Sequence, residues 1–296
     1  MRKGRILVLM LVIATGAAMG LPAASAAKKA VKVTTGEEHV CALKPNGKVL
    51  CWGDDEYGQT SPPNAKFESI DGGAYHTCGI KRNGKVECWG YDGYGETAPP
   101  SGKFKSISAG FMTTCGIKTN GVAMCWGADN YGQTSKPTGK KLKSISTGYT
   151  VTCGRKLNDK PACWGENSYG QADFGKINSK FKSVLAGTYH VCGVKTNNKP
   201  VCRGYNDDGE ATPPKKKVRK IYPGYYSSCV HLLNKKVKCW GYDYYEIAST
   251  APKIKLHSME MDAYAEHACG VRMNKRSVIC WGGNDEGQLD VPLSLR

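Results

Sequence analysis

Short runs of alternating apolar and polar residues follow one another along the chain from Val31 onward. The stretch "KFESIDGGAYHTCGIKRNGKVECWGYDGYGETAPPSG" contains the whole pattern. In it KFESI, HTCGIK and KVECWG alternate as half-buried strands do, and ETA is a shorter candidate. Turn-forming residues occupy the gaps, and no window has a sustained helical period. The pattern predicts four short strands per unit and an all-β fold.

The same unit occurs seven times, and each copy carries two cysteines. The first cysteines follow one another at intervals of 37, 37, 38, 39, 37 and 40 residues. Periods of this size are typical of propellers and solenoids, and a β-propeller uses about four to eight four-stranded blades. A β-solenoid is the alternative, but its coils are usually shorter and lack this hairpin-and-linker punctuation. We predict a seven-bladed β-propeller over residues 27–296, with repeats beginning near residues 31, 66, 103, 141, 180, 217 and 255.

The two cysteines of each unit flank a predicted hairpin turn. In "CALKPNGKVLCWG", Pro45 and Asn46 suit the corners of a type I turn, and Gly47 suits the left-handed position that follows. This turn places Cys41 directly opposite Cys51, within disulfide reach. Zinc is the alternative, but zinc ligands usually come as more closely spaced cysteines. The predicted intrablade disulfides are Cys41–Cys51, Cys78–Cys88, Cys115–Cys125, Cys153–Cys163, Cys192–Cys202, Cys229–Cys239 and Cys269–Cys280.

Residues 1–26 have the features of a cleaved secretory signal peptide. Arg2, Lys3 and Arg5 precede the apolar run "ILVLMLVIATGAAMGL", and Ala24 and Ala26 supply an A-x-A cleavage site. An uncleaved membrane anchor is the alternative. Export brings the cysteines into an oxidising compartment, where an even number at regular spacing indicates disulfides. We therefore expect a secreted or periplasmic protein.

The unit resembles the repeat of the regulator of chromosome condensation family. The recurring "CWGxxxYGQT" with a following proline, and "SIxAG…H" ahead of each hairpin, carry the resemblance. It covers nearly all of the mature chain and implies a seven-bladed propeller. Two secreted branches are more similar still, namely the bacterial propeller that inhibits β-lactamases and the cysteine-paired ectodomain of crinkly-type plant receptor kinases. The pattern fails where Arg203 replaces tryptophan and where "YDYYEIA" lacks the Gly-Gln pair.

The predicted strand order sorts the loops between two faces of the disc. The loops after the first and third strands of each unit hold fifteen of the sixteen tyrosines, many carboxylates and no lysine or arginine, and we call this side the tyrosine face. The hairpin turns and the linkers emerge on the other side, which we call the lysine face. Its basic residues include Lys44, Lys48, Arg82, Lys85, Lys103, Lys140, Lys141, Lys215, Lys216, Lys217, Arg219, Lys235 and Lys236.

Charge and motifs limit the function classes. The formal charge is +17, and without the three basic residues of the signal peptide 39 bases remain against 25 acids, or +14, which favours anionic partners. No G-x-S-x-G, H-E-x-x-H or phosphate-cradling glycine loop occurs, so we predict no enzyme activity, no catalytic residue and no cofactor. The resemblance implies a structural, hydrogen-bonding role, and no metal site, for His39, His76, His190 and His267.

We predict a monomeric module that binds an extracellular protein or glycan through the tyrosine face. Rigid aromatic rings on loops give a large contact area at low entropic cost, although packing between blades is the alternative role of these rings. A second hypothesis is that the lysine face binds anionic cell-surface or extracellular polymers. A third is inhibition of a protein, resembling the β-lactamase inhibitor. The predicted contact residues are Tyr94, Tyr225, Tyr226, Tyr242, Tyr244 and Tyr245.

Overall fold

Seven antiparallel sheets of three strands each make up the fold. The computed structural model describes residues 31–135, 139–264 and 266–296, and each sheet is built from three consecutive strands. The predicted signal peptide at residues 1–26 lies outside these described residues. Within them, no helix is long and apolar enough to cross a bilayer.

We number the sheets as blades one to seven in chain order. The strands of blades one to four are β1 Lys32–Thr35, β2 His39–Leu43, β3 Val49–Gly53; β4 Phe67–Gly72, β5 His76–Lys81, β6 Val86–Gly90; β7 Phe104–Ala109, β8 Thr113–Lys118, β9 Ala123–Gly127; β10 Leu142–Thr147, β11 Val151–Lys156, β12 Pro161–Gly165. Those of blades five to seven are β13 Phe181–Ala186, β14 His190–Lys195, β15 Pro200–Gly204; β16 Val218–Pro223, β17 Ser227–Leu232, β18 Val237–Gly241; β19 Leu256–Glu260, β20 His267–Arg272, β21 Val278–Gly282. Short 3₁₀ turns span Ala172–Lys176 and Leu293–Leu295.

One disulfide crosses the hairpin of every blade. Cys41 and Cys51 are directly opposed in the ladder between β2 and β3, and their Cα atoms lie 4.1 Å apart. The other six bridges have the same opposed geometry, with Cα separations of 4.0 to 4.1 Å. By the chain-entropy account, closing a loop of this length contributes about 2–3 kcal/mol. The predictions of an all-β fold and of one disulfide within each blade are confirmed.

The hairpin turns of blades one to six have the three-residue form expected from their sequences, whereas that of blade seven is one residue longer. The backbone N–H of Gly47 donates to the carbonyl of Lys44 at 2.9 Å, and Gly47 has a φ of 90°. Asp159 and Asn198 occupy the equivalent position in later blades with φ values of 66° and 69°. These residue types tolerate the left-handed region better than most non-glycine residues do.

The fourth strand that the sequence predicted in each unit is absent from the described residues. The segment 96–98, predicted as a strand, lies in a turn. The backbone N–H of Tyr94 donates to the carboxylate of Glu96 at 2.8 Å, and that of Thr97 donates to Asp92 at 2.9 Å. Because side chains satisfy these donors locally, the segment needs no ladder partner, and the prediction of four-stranded blades is wrong.

The turn that replaces the fourth strand accepts a hydrogen bond from the next blade. The indole N–H of Trp89 donates to the carbonyl of Gln59 at 2.9 Å, and that of Trp126 donates to the carbonyl of Glu96 at 2.9 Å. Each tryptophan thereby ties its blade to the one before it. These rings lie between blades, where they are buried or half-buried.

A second series of hydrogen bonds joins the first strands around the centre of the ring. A side-chain oxygen on one blade accepts a backbone N–H from the next blade. The series is interrupted where Leu185 offers no acceptor, and the next blade has Pro223 at the position of the donor. Donor and acceptor are missing together, so no N–H is left unsatisfied there. The four acceptor–donor pairs are Thr34–Gly72, Asp71–Ala109, Ser108–Thr147 and Ser146–Ala186.

Blade seven packs directly on blade one and closes the ring. The backbone N–H of Val31 donates to the carbonyl of Lys275 at 3.1 Å, and the indole of Trp52 donates to the carbonyl of Gln288 at 2.8 Å. Residues of both blades, with Leu295 near the C-terminus, form one buried apolar cluster. The same interblade tryptophan contact used elsewhere therefore also joins the last blade to the first.

The closing hydrogen bond can be measured with two matched substitutions. Trp52→Phe removes the bond to Gln288, whereas Trp281→Phe removes an indole N–H that has no partner among the described residues. Both variants lose similar apolar area, so the difference between them reports the hydrogen bond. We expect Trp52→Phe to lower the free energy of unfolding by about 1–2 kcal/mol more than Trp281→Phe does, in denaturant titrations with the disulfides intact. Equal losses would contradict this account of ring closure.

Candidate functional site

Aromatic rings from loops of different blades form a continuous network on one side of the propeller. Tyr57, in the loop after β3, contacts Tyr75, in the loop after β4, with ring centroids 5.8 Å apart. Tyr75 in turn lies 5.6 Å from Phe111. Loops that follow first strands and loops that follow third strands therefore share the tyrosine face.

Five of the predicted contact tyrosines lie together on blade six. Tyr225 and Tyr226 have ring centroids 4.0 Å apart, and Tyr226 lies 6.3 Å from Tyr242. The rings of Tyr242 and Tyr244 are stacked at 6.1 Å with 6° between their planes, and Tyr244 meets Tyr245 edge-on at 5.0 Å. We call these five residues the blade-six cluster.

The remaining predicted residue, Tyr94, lies apart from this cluster. It belongs to the turn after the third strand of blade two, and its side chain is 50% exposed. No ring contact joins it to another aromatic residue in the described part of the chain. Within the cluster, Tyr242 is 49% exposed and Tyr244 is 71% exposed. The structure thus brings five of the six residues into one patch with two well-exposed rings.

The turn that carries Tyr244 and Tyr245 is held by Asp243. Its carboxylate accepts backbone N–H groups from Ala248 at 2.5 Å and from Ser249 at 2.9 Å. This is the unit in which the repeat motif fails, and Ile247, two residues after Tyr245, is buried where other blades have glutamine or glutamate. An aspartate-capped turn with an apolar anchor therefore presents the two rings.

Tyr264 occupies the centre of the tyrosine face, and sequence reasoning did not single it out. Its ring belongs to blade seven but lies 4.8 Å from Phe111, 5.5 Å from Tyr149 and 4.8 Å from Tyr225, which belong to blades three, four and six. The ring of Tyr264 therefore joins loops of four blades on this side. The sequence shows an aromatic residue in this loop, but its contacts with the other blades depend on how four blades are placed relative to one another.

Carboxylates surround the aromatic network. Burial raises the pKa of Glu37 to about 7, a hydrogen bond from Tyr75 opposes this shift, and the charges of Glu38 and Glu266 add to it. Burial also raises the pKa of Glu38, as do the nearby charges of Asp54 and Glu286. These groups repel one another and have no basic residue in the surrounding loops to offset them. A cationic or hydrogen-bond-donating partner would relieve this repulsion.

The recurring histidines of the repeat lie between blades. His39 Nε2 is hydrogen-bonded to the hydroxyl of Thr77 at 2.8 Å, and His190 Nε2 to that of Ser228 at 2.8 Å. His267 is equally buried, but neither of its ring nitrogens has a partner in the described residues. Burial lowers the pKa of His39 to about 4 and those of His190 and His267 to about 3. The described residues contain no group of three or more His, Cys, Asp or Glu side chains arranged to hold a metal.

Comparison with known proteins identifies the fold and three of the seven repeats. The family model described as Regulator of chromosome condensation (RCC1) repeat matches residues 30–59, 67–96 and 104–133. A search of curated protein sequences gives no significant match. Among solved structures, the chain is similar to the CRINKLY WD40 ectodomain of the receptor kinase ACR4 from Arabidopsis thaliana, with 24% identity and a TM-score of 0.73, over 90% of this chain and 97% of that one.

Two further structures have the same architecture. The ectodomain of the receptor kinase CR4 from Physcomitrella patens matches with 24% identity and a TM-score of 0.73, over 86% of this chain and 74% of that one. Prp20p from Saccharomyces cerevisiae matches with 15% identity and a TM-score of 0.65, over 82% and 76%. At these identities the likeness establishes the fold alone, and it confirms the predicted seven-bladed propeller.

The interblade histidines predict a specific pH dependence of stability. A buried neutral histidine stays unprotonated in the folded state, while in the unfolded state it binds a proton below about pH 6.5, so stability falls as the pH falls. Replacing His190 with glutamine should remove one such titrating group. The free energy of unfolding should then fall less steeply with falling pH, by about 1.4 kcal/mol per pH unit between about pH 6 and 4. Chemical denaturation across this range measures the slope, and His257→Gln, at a half-buried ring whose pKa burial lowers to a smaller extent, should change the slope less. An unchanged slope in His190→Gln would show that the ring titrates normally.

Proposed function

We propose that this chain, which carries repeats of the regulator of chromosome condensation family, is an exported binding module that engages a protein or glycan through its tyrosine face. The propeller would act as a rigid, disulfide-stapled platform, and the blade-six cluster would be the main contact. The proposal assigns the chain a binding role and no catalytic role.

The observation that carries the proposal is the exposure of a stacked tyrosine pair on a rigid loop. Tyr242 and Tyr244 together leave large aromatic surfaces in contact with solvent, and Tyr225, Tyr226 and Tyr245 support them from below. Contiguous exposed apolar surface of this kind is typical of interaction sites. Tyrosine gains contact area with only two side-chain torsions to fix, so binding through these rings costs little entropy.

The compartment follows from the cysteines. Seven disulfides use all fourteen cysteines, and such bridges persist in an oxidising environment. We place the protein outside the cytoplasm, secreted or in the periplasm, in agreement with the sequence features of residues 1–26. The partner would therefore be an extracellular or envelope molecule.

Removing three rings of the cluster, of which Tyr242 and Tyr244 are exposed, tests the proposal. The triple variant Tyr226→Ala, Tyr242→Ala and Tyr244→Ala should reduce capture of the partner from the native extracellular fluid by at least about tenfold, since large aromatic anchors dominate binding energy at interfaces. Quantitative mass spectrometry of cross-linked pull-downs provides the measurement.

The control for this variant removes exposed apolar side chains from the opposite face. Leu157 is 58% exposed and Leu233 is 49% exposed, both in hairpin turns of the lysine face. The double variant Leu157→Ala and Leu233→Ala should capture the partner as the native protein does. If the triple tyrosine variant retained every partner at native level, the assignment of the tyrosine face would be wrong.

A second candidate function is binding of an anionic polymer by the lysine face. Lys215, Lys216 and Lys217 are all exposed in the linker before blade six. None of the basic residues assigned to this face forms an ion pair within the part of the chain that the structure describes. Unpaired lysines grouped on one side create a field that attracts polyanions.

Salt dependence distinguishes this second function. Binding to inorganic polyphosphate, as the probe, should weaken steeply with added salt, because each neutralised phosphate releases a counterion. Replacing Lys215, Lys216 and Lys217 with glutamine should lower the slope of log affinity against log salt by about two to three, while the triple arginine variant should keep it. Salt-insensitive binding would exclude the lysine face as a polyanion site.

A further inference from the structure

The first strands of the seven blades enclose a central channel of about 620 Å³. Asp262 and Ala263 line the channel, and the ring of Tyr264, the next residue along the chain, contacts three other blades. The channel wall includes Ile70, Ile107, Ile145 and Leu185, each from a different blade. Polar and charged side chains make up about half of the rest of the lining, so a cavity of this size offers a small molecule both apolar surface and polar contacts.

One ion pair within the channel wall is complete. The ammonium group of Lys220 lies 3.1 Å from both carboxylate oxygens of Glu260 and 4.4 Å from the ring centroid of Tyr222. Lys220 is thus an alkyl ammonium ion held by a carboxylate and an aromatic ring. The wall of this channel therefore accommodates such a group.

Two further carboxylates line the channel without an ion-pair partner. Asp71 accepts the backbone N–H of Ala109 at 2.9 Å, and Asp262 accepts that of Tyr264 at 3.3 Å. Neither carboxylate forms a salt bridge to any described lysine or arginine. Both residues are half-buried in the channel wall, so each carboxylate loses part of its hydration without gaining a counter-charge, which makes its ionised form less favourable.

When all of its ammonium and carboxylate groups are ionised, the channel carries a net negative charge. Its lining residues include the ammonium groups of Lys32 and Lys220 and the carboxylates of Asp71, Glu260 and Asp262, with His257 as the one further titratable side chain apart from the phenol of Tyr222. Two positive groups therefore face three carboxylates when all are ionised. Binding of one monovalent cation would then bring the net charge of these groups to zero.

We infer that the central channel is a binding site for a small alkyl ammonium ion, with its charge held by Asp71 and Asp262 and its hydrocarbon part against the isoleucines of the wall. An ammonium group offers three donors, which suit acceptors from two carboxylates. A metal ion fits less well, because the described residues provide no cluster of three or more ligating side chains. This site is separate from the blade-six cluster and does not depend on the function proposed for the tyrosine face.

Proton linkage follows from the surroundings of the carboxylates. Burial raises the pKa of Asp71 to about 7, a backbone hydrogen bond from Ala109 opposes this shift, Glu260 adds to it and Lys220 opposes it. Burial raises the pKa of Asp262 as well, and the charges of Asp71 and Glu37 contribute. A cation competes with the proton for these groups, so affinity should rise as the pH increases through about 7, where Asp71 loses its proton.

Calorimetry with n-butylammonium as the probe tests the inference on the mature, disulfide-bonded chain. We expect saturable binding with an affinity at least about tenfold higher near pH 8 than near pH 6, since about one proton is displaced per ligand. Titration near pH 7 in two buffers of different ionisation enthalpy should detect the released proton. Absence of saturable binding near pH 8, or binding without proton release near pH 7, would overturn the proposal.

Substitutions locate the site. Asp71→Asn keeps a side-chain acceptor for the N–H of Ala109 but loses the charge, and it should lower the affinity for n-butylammonium at least about tenfold near pH 8; Asp262→Asn should do the same. Asp159→Asn, at a surface aspartate paired with Lys143 at 2.8 Å, should leave the affinity unchanged. n-Butanol, the uncharged probe of similar size, should not bind measurably. Native affinity in both channel variants, or equal binding of n-butanol, would refute the assignment.

Discussion

The register of the cysteine pair is the constraint on which the rest of the structure depends. Cys41 stands opposite Cys51, so their side chains share one side of the blade, while Val40 and Trp52 face the other. The cysteine side meets the next blade, where Cys41 Sγ lies 3.7 Å from the hydroxyl of Thr77. The tryptophan side meets the previous blade, and in blade one this is blade seven. A slip of one residue would exchange the two sides and break both interblade contacts. The disulfide forbids that slip, so it fixes the packing of the ring as well as the hairpin.

The departures from the repeat concentrate around blade six. There Glu246 has a φ of 56°, Ile247 is buried in place of a polar residue, and the indole N–H of Trp281 on the following blade has no described acceptor. The inner series of hydrogen bonds also stops at the preceding boundary, where Pro223 has no N–H to donate. A regular blade would be more stable at each of these points. The same irregular turn presents Tyr244 and Tyr245. We infer that the sequence of this turn favours the presentation of these two rings over stability.

Local sequence was enough to predict what lies within one blade. Alternation and turn residues located the three strands, and the Pro-Asn-Gly turn set the opposition of Cys41 and Cys51. The prediction of a fourth strand was wrong. The side chains of Asp92 and Glu96 accept the backbone N–H groups of their own turn, and the alternation of apolar and polar residues contains no information about such hydrogen bonds. Ring closure was beyond local reasoning, since it joins Trp52 to a residue 236 positions away. Five of the six proposed contact residues came together because they belong to adjacent loops of one blade, whereas the reach of Tyr264 depends on the diameter of the whole ring.

Tyr264 is the element that the channel and the tyrosine face have in common. On one side its ring touches Tyr225 of the blade-six cluster, and on the other its backbone N–H donates to Asp262 in the channel wall. Burial and the nearby charge of Glu37 raise the pKa of its phenol, which therefore stays neutral beside these carboxylates. The blades around it are each stapled by a disulfide and joined by interblade hydrogen bonds, so their strands have little freedom to respond to a charge in the channel. Such a charge acts directly on Asp262, and Asp262 holds the backbone of Tyr264. The segment 262–264 is therefore the shortest route by which occupancy of the channel could alter the shape of the tyrosine face.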